Sequence, residues 1–116
     1  MLKREYLDNN FLYWYIYTNM NSEITYYHKA LIKNKYILEL KIRHFKKPPK
    51  RFPESIKYNL IFKEVKTGKQ ILFDNHLPKG HHYHINNLEF SYEFKDESKL
   101  IADFKKLVEE YFGVIL

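Results

Sequence analysis

Four of the six histidines fall between His76 and His84, in the run Asn75-His76-Leu77-Pro78-Lys79-Gly80-His81-His82-Tyr83-His84. Imidazole is the side chain best matched to proton transfer near neutral pH. Gly80 lets backbone amides approach an anion closely, and Lys79 can hold its charge. Asp74 or Asn75 stands near enough in sequence to orient a ring. Three kinds of chemistry fit these residues. In the first, one imidazole takes the 2′-OH proton of an RNA phosphodiester and another protonates the leaving 5′ oxygen. Lys79 and nearby basic groups then stabilise the transition-state charge. That route assigns His81, His82 and His84, with Asp74, to catalysis and requires no metal or cofactor. In the second, His81 or His82 joins His84 and Asp74 or His76 in ligating a transition metal, at a spacing that is compatible but short. In the third, the histidines are hydrogen-bonded surface residues.

A second feature lies upstream. Lys46, Lys47, Lys50 and Arg51, flanked by Phe45 and Phe52, form a basic loop stiffened by Pro48, Pro49 and Pro53. Cations that meet phosphates and rings that stack on bases are what single-stranded nucleic acid requires. Arg43 and Lys79 extend the same RNA-binding set. His44 ends a basic strand beside this loop, whereas His28 reads as structural. From His28 to Lys57 there are ten Lys/Arg against Glu39 and Glu54, a local charge of +8. Glu89 to Glu110 carries seven acids and four bases, or −3. A basic middle beside an acidic end suggests a polyanion for one face. The plain alternative is a solvated charged surface.

Composition narrows the classes. The 116 residues include 20 Lys+Arg and 14 Asp+Glu, a formal net charge of +6. Cysteine is absent, so disulfides, Cys-based zinc sites, iron–sulfur ligation and thiol catalysis are excluded. The longest apolar run, Phe11 to Tyr17, is too short to span a bilayer. No secretory leader pattern opens the chain. A single domain over residues 1–116, in the cytoplasm and away from membranes, is the expectation.

The elements that must position these residues follow from periodicity. Asn10 to Thr18 is aromatic enough for a strand, with a helix left open. Glu23 to Ile32 reads as a strand. After a break at Asn34-Lys35, Tyr36 to His44 alternates Leu38, Leu40 and Ile42 against Glu39, Lys41 and Arg43, the period of a half-buried strand. Ile56 to Val65 and Gln70 to Asp74 form a hairpin about Gly68. Asn75 to Tyr83 is expected to be a loop, and Ile85 to Phe94 one extended strand at a sheet edge. Leu100, Ile101, Phe104, Leu107, Val108, Tyr111 and Phe112 form one stripe of an amphipathic helix. Asp96 or Ser98 can cap its start and Gly113 its end. The expected fold is α+β: an antiparallel β-sheet of hairpins covered on one face by a C-terminal amphipathic α-helix.

The order of these features resembles the TumE family of small toxins. The resemblance rests on Ile71-Leu72-Phe73-Asp74-Asn75, then Lys79-Gly80-His81-His82-Tyr83-His84-Ile85, then Glu89, Tyr92, Phe94 and Leu100 to Asp103-Phe104. Lys47-Pro48-Pro49 leading to Tyr58-Asn59-Leu60 also fits. It covers roughly Tyr36 to Tyr111. His82 and His84 match the family histidines, and Lys79, Gly80, Asp74 and Asn75 match the segment before them. His81 stands where the family has Asp, Asn86-Asn87 replaces a Gly-rich step, and Ser91 stands where Pro is frequent. The resemblance implies a toxin of a type II toxin–antitoxin pair, partnered by a cognate antitoxin protein and acting on RNA or the ribosome. The rivals are a non-enzymatic nucleic-acid-binding or assembly protein, and a metal-binding nuclease using the same histidines. The acidic helix end at Glu109 and Glu110 also offers a contact to the basic stretch of a second copy, so a homodimer is among the assemblies the sequence allows.

Overall fold

Short polar turns fold this chain into successive antiparallel neighbours. The computed structural model describes residues 21–47, 54–76 and 79–116. The expected element at Asn10 to Thr18, and Lys50 and Arg51 of the proline loop, lie outside the described residues. The strands are β1 (Ser22–Ile32), β2 (Tyr36–Phe45), β3 (Ile56–Glu64), β4 (Gln70–Asp74), β5 (His82–Ile85) and β6 (Leu88–Ser91). A single described helix, α1 (Glu97–Phe112), follows them. The strands form one antiparallel sheet in chain order, β1 to β6. Lys33 and Asn34, both at positive φ, turn β1 into β2. Gly68, at φ +76°, turns β3 into β4.

Alternation then sorts the side chains onto two faces. One face carries Tyr36, Leu38, Leu40 and Ile42 of β2, Tyr58, Leu60 and Phe62 of β3, Ile71 and Phe73 of β4, and Ile85 of β5, all buried. Helix α1 closes this face with Leu100, Phe104 and Val108, each fully buried. Each such side chain contributes about 1.5–3 kcal/mol by leaving water. Phe73 is the centre, with its ring edge-on to Phe104 at 5.8 Å and to Tyr92 at 5.2 Å. Asp96 caps α1 by accepting from the Lys99 backbone N–H at 2.8 Å. Gly113, at φ +66°, ends it by donating to the Glu109 carbonyl. The α+β expectation therefore holds.

Three local expectations change. Ile85 to Phe94 is not one strand. Asn86, at φ +54°, turns it back into the β5–β6 hairpin, with Ile85 paired to Leu88. Asparagine tolerates this left-handed backbone, and the polar Asn86-Asn87 pair is a two-residue hairpin loop. The expected Asn75–Tyr83 loop is shorter, because β5 already begins at His82. Tyr111 leaves the apolar stripe and is exposed. In the last turn it is Phe112 that meets the core, against Phe62 at 5.1 Å and Tyr36 at 5.6 Å. No described helix is long and apolar enough to cross a membrane.

Candidate functional site

The face of the sheet turned away from α1 collects most of the chemistry. Pairing registers place Tyr27, Lys41, Asn59, Asp74, His82 and Ser91 opposite one another in a single row across all six strands. Directly opposed residues of neighbouring strands point to the same face. Arg43 and Lys57 form the adjacent pair on one side of that row. Leu72, His84 and Glu89 lie on the other side of it.

Two histidine–carboxylate pairs sit side by side here. His82 is buried. Its Nε2 lies 2.9 Å from Asp74 Oδ1, and its Nδ1 lies 2.6 Å from the Gly80 carbonyl. Gly80 reaches that position at φ +74°, a backbone conformation glycine adopts without strain. Both ring nitrogens therefore face an oxygen acceptor. Asp74 Oδ1 also accepts the His76 backbone N–H at 3.1 Å, an Asx turn that fixes the carboxylate. His84 Nε2 lies 3.4 Å from Glu89 Oε1, and the two imidazoles are edge-on at 5.0 Å. Glu89 Oε1 also accepts from Lys79 Nζ at 2.7 Å and lies 3.9 Å from His82 Nε2. The Lys79 hydrogen bond is the main reason the Glu89 carboxyl sits below the ordinary range, with both imidazoles adding.

A depression of about 370 Å³ opens beside His82, lined by Lys57, Tyr58, Asn59, Asp74, His76 and Lys79. Lys57 is half-buried beside it. Desolvation holds its ammonium below the ordinary lysine range; Arg43 and Lys41 add to this and Asp74 opposes it. The His76 imidazole is likewise held below its ordinary range, first by crowding from surrounding protein and then by the Lys57 charge, with Asp74 opposing. Cations thus outnumber the one carboxylate that lines this depression. Lys79 is itself paired with Glu89 at the rim.

The structure brings together His82, His84, Asp74, Lys79 and Arg43 of the residues singled out in the sequence. His81 lines a second depression with Lys79, His82 and Glu89, but its ring turns away from them. Immediately before β5, that ring falls on the opposite face, between Tyr58 and Phe94 at 5.7 and 5.0 Å. Its nitrogens meet the Tyr58 hydroxyl at 2.9 Å and the Glu54 carboxylate. Burial pushes the Tyr58 hydroxyl well above its ordinary range. Lys46 and Lys47 are exposed just beyond β2. His44 joins β2 to the start of α1 by meeting Glu97 rather than facing a ligand.

Asn75 is buried and structural. Its Oδ1 accepts from the Tyr58 N–H at 3.0 Å and its Nδ2 donates to the Ile56 carbonyl at 2.8 Å. Four site residues were missed as such in the sequence: Lys57, Asn59, His76 as a lining residue, and Glu89. The two-residue Asn86-Asn87 turn was the signal that pairs Glu89 with His84. Among the described residues, His82, His84 and Glu89 offer one donor atom each, all within 4.8 Å of one another, the one group with metal-ligand character. No family model, curated protein or solved structure matches this chain.

Proposed function

We propose that this protein is a ribonuclease toxin of a toxin–antitoxin pair, cutting RNA by metal-independent acid–base chemistry on the open face of its sheet. The observation that carries the reaction is the depression in which His76 and His82 meet Lys57 and Lys79. An RNA phosphate seated there adds a counter-charge to the half-buried Lys57, which Asp74 offsets only in part. His76, disposed to the neutral form, takes the 2′-OH proton. The 2′ oxygen attacks phosphorus, and His82, steadied by Asp74, delivers its proton to the departing 5′ oxygen. Lys57 and Lys79 stabilise the extra charge on the phosphoryl oxygens. The products are a 2′,3′-cyclic phosphate and a free 5′-OH. Arg43 and Lys41, and Lys46 and Lys47 beyond them, continue a basic path for the flanking backbone.

The resemblance to TumE toxins supports a cognate antitoxin as partner and a cytoplasmic setting. Occlusion of the basic face would silence such an enzyme.

RNA turnover in EDTA is the test. Replacing His82 with Ala is expected to lower it about 10²–10⁴-fold, and His76→Ala by a similar factor. If His84→Ala is as costly and His76→Ala is silent, His84 is the base. Salt-sensitive RNA binding without turnover in the intact protein would refute catalysis and leave a binding module.

A further inference from the structure

We infer that His82, His84 and Glu89 form a transition-metal site of the zinc class, and that its occupancy switches off the acid–base chemistry of the same face. The regulatory half rests on the ribonuclease reading above; the metal site itself does not.

The three donors are preorganised by one hairpin. His82 and His84 are alternate residues of β5 and so share a face. Glu89 is the cross-strand partner of His84, two residues beyond the Asn86-Asn87 turn. Tetrahedral zinc with bonds near 2.05 Å places its ligand atoms roughly 3.3 Å apart. His84 Nε2 and Glu89 Oε1 are already 3.4 Å apart, and His82 Nε2 lies 3.9 Å from the same oxygen. All three donor atoms lie within 4.8 Å of one another, and coordination draws them in to that spacing.

A second observation concerns His82 alone. Its Nδ1 is held by the Gly80 carbonyl at 2.6 Å, and its Nε2 faces Asp74 Oδ1 at 2.9 Å, a contact that the metal would replace. Metal-bound histidines commonly donate their other N–H to such a carbonyl, which fixes the tautomer and leaves Nε2 as the ligand atom. The cation position is also in use already, since Lys79 Nζ sits 2.7 Å from Glu89 Oε1. A metal ion would take over that oxygen and release the lysine. Two imidazoles and one carboxylate suit zinc, copper or nickel better than calcium or magnesium, which prefer oxygen throughout. With three protein ligands, a fourth position stays open to water.

Coordination uses the lone pair of His82 Nε2, the atom that carries the proton in RNA cleavage. Binding and proton delivery therefore exclude one another, and displacement of Lys79 removes or relocates one anion-holding group. Metal acts here as an inhibitor.

The experiment titrates the full chain with zinc sulfate against a chromogenic chelator and, in parallel, measures RNA turnover with and without zinc. One zinc per chain is expected, with turnover falling as the site fills. Glu89→Gln preserves shape, and circular dichroism checks that it folds. It should weaken zinc binding at least about 10-fold, and the zinc concentration that halves turnover should rise by the same factor. His84→Ala should likewise weaken zinc binding. No zinc binding by the wild type, or equal binding by folded Glu89→Gln, would overturn the site. Tight binding with turnover unchanged would overturn the inhibitory role. Zinc binding by a protein with no turnover in EDTA would refute the ribonuclease reading and uphold the site.

Discussion

Asn75 gives the sharpest test of how the site is held. It follows the last residue of β4, where the ladder to β3 would otherwise end. Its side chain takes over the pairing, accepting from the Tyr58 N–H and donating to the Ile56 carbonyl. The residue is 2 % exposed, so water cannot substitute for it. Asn75→Ala leaves one buried donor and one buried acceptor without a partner. Each orphaned group costs about 1–3 kcal/mol, so the sum is roughly 2–5 kcal/mol after some relaxation. For a domain of this size that corresponds to a fall in Tm of about 8–20 °C. Asn75→Asp keeps the acceptor but sets a carboxylate oxygen against the Ile56 carbonyl. It should be at least as damaging at neutral pH. Its burial favours the protonated form in the folded state, so stability should return as pH falls from neutral towards the ordinary Asp range and be lost as pH rises above that range. Urea unfolding of both variants at pH 7 and at low pH is the assay. An Asn75→Ala protein within about 0.5 kcal/mol of wild type, the range typical of neutral surface changes, would show that the two bonds do not carry this junction. Since Asn75 lies between Asp74 and His76, turnover should fall with it even under conditions where the variant is folded.

Other outcomes follow from single residues. Lys57→Met should raise Tm at pH 7, since it removes a partly desolvated charge, while weakening RNA binding and reducing the salt slope by about 0.7. The stability gain should shrink as pH rises towards the lysine range, because the wild-type ammonium then loses its proton in the folded state first. His76 is depressed from its ordinary value by crowding and Lys57, against the opposing Asp74. The His76 ring is exposed, so its contribution is a small loss of stability as pH falls through about 6.5, the unfolded imidazole value, and His76→Gln should flatten that part of the urea-midpoint profile. Phe104→Ala should cost about 3–5 kcal/mol, and Phe104→Asp should leave the chain unfolded by circular dichroism. A cooperatively folded, soluble Phe104→Asp protein would contradict the packing of α1.

Much of this fold was legible locally. The alternation of Leu38, Leu40 and Ile42 against Glu39, Lys41 and Arg43, the Gly68 turn, and the Leu100-Phe104-Val108 stripe each follow from side-chain period and turn chemistry. Such signals need only neighbours within a few residues. The histidine cluster was also visible, as was the suitability of Asp74 and Lys79 to act with it. The proximity of residues in sequence was nonetheless misleading for His81. Successive residues at the start of a strand point to opposite faces, so one step in where β5 begins decides between joining His82 and stacking on Tyr58.

The amino-acid sequence by itself determined the β3–β4 hairpin, the amphipathic helix and the supply of imidazoles and cations, because these depend on composition and short-range periodicity. Only the tertiary structure decided which of them share a face. Lys57, Asp74, His82 and Glu89 come from four different strands, and they converge because pairing registers align them. Register is a property of strand pairs, set by turn lengths and by the burial of the opposite face. No single segment carries it, so the site that depends on it emerges only when the sheet is assembled.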